Sequence, residues 1–267
     1  MTAAPTTGPR TAGAIARAHI ERGADLIVVA GGDGTINEAA EGMLGSDVPL
    51  AVLPAGTANV LATEMKIGRD PVGVARRLKE MTPRRVLVGR VVFENGVTRH
   101  FLLMAGIGLD AHIVRHVNAP LKARTGKFAY WVAGWSLLGR RLAQFEVNVD
   151  GLRQPCSFAL VTKVRNYGGD FEIARSVTLM DEQFEVVLFQ GKTSFEYVRY
   201  FAGMALNRVE GMRGVTVLRA CHVSVRPTGD APVYVQIDGE FVGEAPAEVS
   251  LGPGAIRVLV PERYGRP

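Results

Sequence analysis

The run Val28-Val29-Ala30-Gly31-Gly32-Asp33-Gly34-Thr35-Ile36-Asn37-Glu38 dictates its own local fold. Leu26 to Val29 is β-branched and apolar, the pattern of a buried strand. Three glycines then surround one carboxylate, and Ile36, Ala39, Ala40 and Met43 follow on one face of a helix-like repeat. A strand, a glycine turn and a helix start together form an anion cradle, because main-chain N–H groups and the helix N-terminus point at one place. Glycine permits positive φ and close approach of a ligand to the backbone. Asp33 sits where a carboxylate repels phosphate unless a cation lies between them, which points to a metal–nucleotide site. The same residues also fit a tight strand–helix turn with Asp33 as a helix cap, and the sequence leaves both open.

A second strand, Val48–Leu53, runs into Pro54-Ala55-Gly56-Thr57-Ala58-Asn59, another strand-to-helix turn, and a helix carrying Val60, Leu61 and Met65 follows. Ala14–Glu21 and Val74–Leu78 also have helical spacing. Strand–helix alternation predicts a parallel sheet covered by helices, with ligands beyond the carboxyl ends of the strands, where both glycine turns lie.

The pattern changes near Arg84. Val86–Phe93, His100–Met104, Phe145–Val149, Ser157–Thr162, Phe184–Phe189, Ala220–Arg226, Val233–Ile237 and Ala255–Val260 are strand-like. Asn95-Gly96 and Asp150-Gly151 mark hairpins between such runs. The expectation is an α/β N-terminal domain over residues 1–84 and a β-rich antiparallel sandwich over 85–257, with 258–267 returning to complete the first domain. Helical patterns at Thr125–Leu142 and Ser194–Asn207 interrupt the strands.

Composition narrows the class. A chain of 267 residues that is 47% hydrophobic and 21% charged has material for a sizeable core. Cys156 and Cys221 form neither a disulfide framework nor a metal-ligand spacing, and a reducing cytoplasm is the simplest expectation. A formal net charge of +5 suits an anionic partner or serves solubility alone. No arginine-rich block interleaved with aromatics points to nucleic acid. Phe128–Gly139 is too short to span a bilayer.

Six segments, in order and spacing, resemble the diacylglycerol kinase-like lipid kinases, the group that includes sphingosine, ceramide and bacterial lipid kinases. They are Gly31–Glu38 (GGDGTINE), Pro54–Asn59 (PAGTAN), Ala105–Ala111 (AGIGLDA), Lys122–Tyr130, Tyr167-Gly168-Gly169 and Asp238-Gly239-Glu240. NAD kinases share the first motif but are not expected to carry the last after a long β-rich domain. The resemblance implies an ATP- and Mg²⁺-dependent kinase of lipid metabolism and phospholipid biosynthesis, acting on a lipid substrate at a membrane surface from the cytoplasmic side. It leaves a homodimer open.

The resemblance also implies roles. Gly31, Gly32, Asp33, Gly34, Thr35, Asn37 and Glu38, with Gly56, Thr57 and Asn59, would bind the nucleotide, Asn59 by shaping its turn. Glu240 would be the general base for the lipid hydroxyl. Asp238, on the same face if the strand continues, would act beside it, as a Mg²⁺ ligand or by setting its pKa. Asp181, with the carbonyls of Thr178 and Gln183, resembles a structural Mg²⁺ site, although Glu182 stands where the family has a turn glycine. On dipeptide grounds Asp238-Gly239 is equally a hairpin turn, and Asp110 reads as a cap or as a site carboxylate. Lys122, Arg124 and Lys127 read as a surface charge run. His112 and His116 read as a solvated helix face, and Phe128–Leu138 as a core helix.

Family members open with a strand bearing an NPxSG-like loop, whereas this chain starts just before the helix preceding GGDGT. An unpaired sheet edge and a reduced nucleotide pocket are therefore expected. The competing expectations are a soluble-substrate kinase of the NAD-kinase type and an inactive truncated homologue.

Overall fold

The computed structural model describes residues 2–116, 142–167, 171–206 and 208–265. Lys122–Tyr130, Phe128–Leu138, the Gly168-Gly169 pair and the expected helix from Thr125 up to residue 141 lie outside them.

The chain opens with α1 (Ala12–Glu21), β1 (Ile27–Gly31), α2 (Asp33–Gly42), β2 (Pro49–Pro54), the short α3 (Val60–Glu64) and α4 (Pro71–Arg77). Each helix has a local cause. Asp70 accepts from the amides of Val72 and Gly73 at 3.1 and 2.9 Å, and Pro71 supplies the fixed φ suited to a first helical position. Ile36, Ala39 and Ala40 are buried on the inner face of α2, as their spacing requires. β1 and β2 are parallel, with Gly31 opposite Pro54, so both glycine turns leave the same end of the sheet.

From Met81 onward the strands are mostly antiparallel: β3 (Met81–Phe93), β4 (Thr98–Phe101), β5 (Met104–Gly108), β6 (Phe145–Val149), β7 (Leu152–Cys156), β8 (Phe158–Thr162), β9 (Asn166–Tyr167), β10 (Phe171–Glu172), β11 (Phe184–Phe189), β12 (Val215–Ala220), β13 (His222–Pro227), β14 (Tyr234–Ile237), β15 (Glu240–Glu244) and β16 (Ala247–Pro261). Helices α5 (Leu109–His116) and α6 (Ser194–Ala205) accompany them. α6 starts from a Thr193–Glu196 capping box.

Two sheets result. One runs β12-β11-β8-β5-β14-β15, and the other β1-β2-β16-β13-β6-β7, with β3 and β4 attached to β16. Phe101, Phe145, Val161, Phe184, Val223 and Val249 belong to the buried cluster between them, the interior of the sandwich. β5, β8 and β11 are buried at every position because both faces of their sheet are covered, and their sequences are accordingly apolar except at Thr162 and Glu185. β6 alternates buried and half-buried, since only one face meets the core.

Several expected strands divide differently. His100–Met104 is not one strand: the chain breaks at Leu102-Leu103, between β4 and β5. Ala220–Arg226 spans the end of β12 and the whole turn into β13. Ala255–Val260 is the end of a much longer β16, continuous through a register shift between Leu251 and Ala255. Near that end, Arg257 and Val258 pair in parallel with Pro49 and Leu50 of β2, so β16 belongs to both the parallel and the antiparallel parts of its sheet. Just beyond it, the Tyr264 hydroxyl donates to buried Glu64 of α3 at 2.7 Å and accepts from the amide of Leu179. At the other end of the order, β1 pairs only with β2 among the described residues, and Leu26 and Val28 are exposed beside that edge.

Gly89 lies opposite Phe101 on neighbouring strands, and a Cβ there would stand 2.3 Å from the Phe101 ring, which itself stacks on Phe184 at 5.7 Å. Gly89→Ala should therefore overpack the sandwich and cost about 1–3 kcal/mol. A urea titration checks this: the midpoint falls with the slope unchanged.

Candidate active site between two glycine turns and a hairpin

The first turn is built by contacts that only glycine allows. A Cβ on Gly56 would lie 2.4 Å from the Cα of Gly32, so the two turns touch backbone to backbone. Gly32 is the N-cap of α2 and has no side chain to cap it. The helix ladder begins with Ile36 N–H donating to Gly32 C=O at 3.1 Å. The amides of Asp33, Gly34 and Thr35 precede that bond and have no partner within the helix. A helix start of this kind attracts anions through both its N–H groups and its dipole.

The second turn is different. Asp33 accepts from the amide of Val60 through Oδ2 at 3.1 Å and from that of Leu61 through Oδ1 at 3.2 Å. Asp33 is thus a helix cap, but of α3, across the gap between the turns, and not of its own helix. The first amides of α3, those of Val60 and Leu61, are therefore taken by Asp33. Asn59, buried and at φ +49°, closes the turn on itself. Its Oδ1 accepts from Gly56 N–H at 2.9 Å and its Nδ2 donates to Gly56 C=O at 2.8 Å. Thr57 is exposed at the mouth.

Two further residues of the first motif hold the frame. Glu38 accepts from the amides of Arg10 and Ala12 at 2.7 and 3.1 Å, which ties the start of α1 to α2. Asn37 donates from Nδ2 to His100 C=O at 3.1 Å, fixing α2 to β4, while its Oδ1 is buried without a partner.

Asp238 and Gly239 form a two-residue hairpin turn between β14 and β15, both in the left-handed region at φ +46° and +86°. The hairpin and the functional reading of this dipeptide are one arrangement. The turn breaks strand alternation, so Asp238 does not stand beside Glu240 on a common face. Its carboxylate accepts from three consecutive amides, Leu102 (2.9 Å), Leu103 (3.1 Å) and Met104 (2.8 Å), at the break between β4 and β5. Burial pushes its pKa up to about 7; the three amides oppose this and the negative charge of Asp33 adds to it.

Glu240 leaves the turn in the opposite sense. It is exposed, and its Oε1 lies 2.7 Å from where a Cβ of Gly34 would stand. A carboxylate from the end of the chain therefore overhangs the helix start that follows β1. The hairpin is supported by Asp110, Tyr167 and His112, and by Gln236, Arg115, Tyr234, Phe241 and Glu244, which the sequence reading left out. Gln236 accepts from Gly239 N–H at 2.8 Å and donates to Asp110 at 2.6 Å; Asp110 also accepts from the Tyr167 hydroxyl. Asp110 is thus no cap: it is buried, its pKa raised by burial, and its carboxylate serves two side chains. Arg115 of α5 lies over the rings of Tyr234 and Phe241 at 4.3 and 4.9 Å and pairs with Glu244 at 2.9 Å, and His112 packs on Tyr234. Alternating polar residues on a short hairpin are the only signal that sequence offers for this support.

The loop Thr178–Gln183 does not fit the metal expected there. Asp181 accepts from Thr178 N–H at 2.8 Å and pairs with Arg219 at 3.3 Å; the Thr178 carbonyl accepts from Asp181 N–H. Gln183 is exposed, and among the described residues no group of three His, Cys, Asp or Glu side chains converges on a metal position.

Comparison with known proteins agrees with this architecture. Residues 1–91 match the model of the diacylglycerol kinase catalytic domain, and residues 104–260 match that of the YegS C-terminal NAD kinase beta sandwich-like domain. The chain belongs to the diacylglycerol kinase-like lipid kinase family. It is 30% identical over 244 residues to a diacylglycerol kinase of Bacillus subtilis, covering 89% of this chain and 78% of that protein. It is 28% identical over 253 residues to a diacylglycerol kinase of Mycobacterium tuberculosis, covering 93% and 80%. The same identity holds over 260 residues of a probable lipid kinase YegS-like protein of Chromohalobacter salexigens, again with 93% and 80% covered. A solved diacylglycerol kinase structure from Bacillus anthracis shares the fold at a TM-score of 0.73 and 21% identity, over 96% of this chain and 84% of that one. Among the described residues no helix is long and apolar enough to cross a membrane.

The raised pKa of Asp238 gives a signed pH dependence. An ordinary aspartate is ionised above about pH 4, whereas the folded protein keeps this proton to about 7. Between those values the folded state binds more protons than the unfolded state, so this group's contribution to stability falls as pH rises and levels off above 7. Denaturation at a series of pH values checks this: Asp238→Asn should flatten that part of the slope as well as lower stability overall.

Proposed function

We propose that this chain transfers the γ-phosphoryl group of ATP to a hydroxyl of a diacylglycerol- or sphingoid-like lipid, in a Mg²⁺-dependent reaction on a membrane surface. The observation that carries the reading is the approach of Glu240 to Gly34. It sets a carboxylate beside the one helix start of the two turns whose amides remain open to an anion.

In this reading the amides of Asp33, Gly34 and Thr35 hold phosphate oxygens, and the Thr35 and Thr57 hydroxyls add donors at the rim. Glu240 stands on the far side of the phosphate, where an acceptor hydroxyl approaches. As the lipid oxygen bonds to the γ-phosphorus, its proton passes to Glu240. The bond from that phosphorus to the bridging oxygen breaks, and its electron pair leaves with ADP. Mg²⁺ carried by the nucleotide would supply positive charge against the phosphates when bound. Asp238 does no chemistry here: it fixes the turn that aims Glu240. Asp33 likewise holds the two turns at their separation.

The assay is purified chain, labelled ATP, Mg²⁺ and dispersed lipid, followed by solvent extraction. Label should move into the organic phase. Label found only in an aqueous product overturns the lipid acceptor in favour of a soluble substrate, and absence of turnover overturns catalysis by this chain. Glu240→Gln should lower kcat by about 10²–10⁴-fold and leave nucleotide binding intact; full activity removes Glu240 from the base role. Gly34→Ala adds a methyl against the flexible end of Glu240. It should lower kcat by roughly 10²-fold, the cost of a displacement of about 1 Å, with little change in thermal stability.

A further inference from the structure

We infer that the loop Thr178–Gln183 is closed by a protein cation, the Arg219 guanidinium, and takes no divalent metal ion of its own. The inference is independent of which substrate is phosphorylated.

The loop's one inward carboxylate is already committed. Asp181 Oδ2 accepts from Thr178 N–H at 2.8 Å and faces Arg219 Nη2 at 3.3 Å. Arg219 is no loose surface side chain. It sits on β12 opposite Glu185, only about one third of its side chain is exposed, and its Nη1 donates to Ser176 C=O at 2.8 Å. One guanidinium therefore ties Asp181 to Ser176, just ahead of the loop. Glu185, just after the loop, is also satisfied by protein groups: the amides of Arg175 and Ser176 at 3.1 and 2.9 Å and the Ser176 hydroxyl at 2.7 Å.

Lys163 is fully buried and its Nζ donates to Leu87 C=O at 2.5 Å; burial lowers its pKa to about 8, and the charges of Asp181 and Glu182 oppose that shift. Arg219 already offsets the charge of Asp181. Mg²⁺ demands six oxygens in octahedral array. Here a single carboxylate is shared with an arginine, the Thr178 carbonyl is turned to Asp181 N–H at 3.0 Å, and Gln183 is exposed. A dication bound to Asp181 would face Arg219 across the same carboxylate and be repelled by it.

Calorimetry of the full chain without nucleotide, in excess EDTA and then in Mg²⁺, tests the inference. The Tm should be the same in both, and Arg219→Ala should lower it by about 2–4 °C in both. A rise in Tm with Mg²⁺ that disappears in Asp181→Asn overturns the inference, as does an unchanged Tm in Arg219→Ala. A rise that survives in Asp181→Asn belongs to a metal elsewhere and supports the assignment of this loop. Should Asp181→Asn not fold, Mn²⁺-soaked crystals of the unaltered chain decide. An anomalous peak at ligand distance from Asp181 overturns the inference, and its absence there supports it.

Discussion

A single enclosed carboxylate sets the geometry of the site. Asp238 gathers three successive amides, those of Leu102 and Leu103 in the break between β4 and β5 and that of Met104 where β5 begins. The amides of the break belong to neither strand, and unpaired donors of this kind are costly to bury. Hydrogen bonds to an ionised acceptor contribute roughly 1.5–3 kcal/mol each, against the cost of enclosing the charge. The pKa of about 7 shows burial and the nearby Asp33 outweighing the amides near neutrality. The same contact locks the hairpin tip, and the residue that follows the tip is Glu240. A structural hydrogen-bond cluster and the aim of a reactive carboxylate are thus one feature.

The two glycine turns divide the labour unequally. Asp33 joins them by capping α3 from the first turn of α2, which consumes the amides of Val60 and Leu61. α3 has five residues and a correspondingly small dipole, whereas α2 has ten and keeps its first amides. An anion is therefore drawn to the start of α2, and the second turn acts as a wall. The Gly32–Gly56 contact sets how close that wall stands, because a Cβ on Gly56 would push the turns apart.

Much of this was legible in the residues, for identifiable reasons. The strand–glycine–helix unit depends on neighbours in sequence, so Leu26–Met43 declares it. The Asp238-Gly239 turn is declared by a dipeptide suited to two positive φ values. The reach of Asp33 to Val60 was not legible, since nothing local tells whether an N-terminal aspartate caps its own helix or another. The break at Leu102-Leu103 was hidden for a similar reason: the apolar run His100–Met104 reads as one strand unless the carboxylate that collects its amides is known. β16 looked short because Gly252-Pro253-Gly254 reads as punctuation, yet the ladder with β3 absorbs it as a bulge and continues. Asp181 illustrates the converse. Its motif resembles a metal loop, and only the register of β12 against β11 brings Arg219 to it.

The way the sheets are joined limits how the site can move. Glu240 and Gly34 belong to the two ends of the chain, an arrangement that often implies domains closing about a linker. Here β16 is hydrogen-bonded to β13 through His222–Val225, to β3 along most of its length and to β2 at Arg257 and Val258. A rigid rotation of one half against the other would break the β16–β2 pairing, and Tyr264, bonded to Glu64 beyond its end, would lose its partner too. Motions that change the Glu240–Gly34 approach without breaking strand pairing are confined to the hairpin tip, to the exposed Glu240 side chain and to the turn around Thr57. Glu240 therefore approaches Gly34 by local side-chain and turn rearrangement over a frame held by β16.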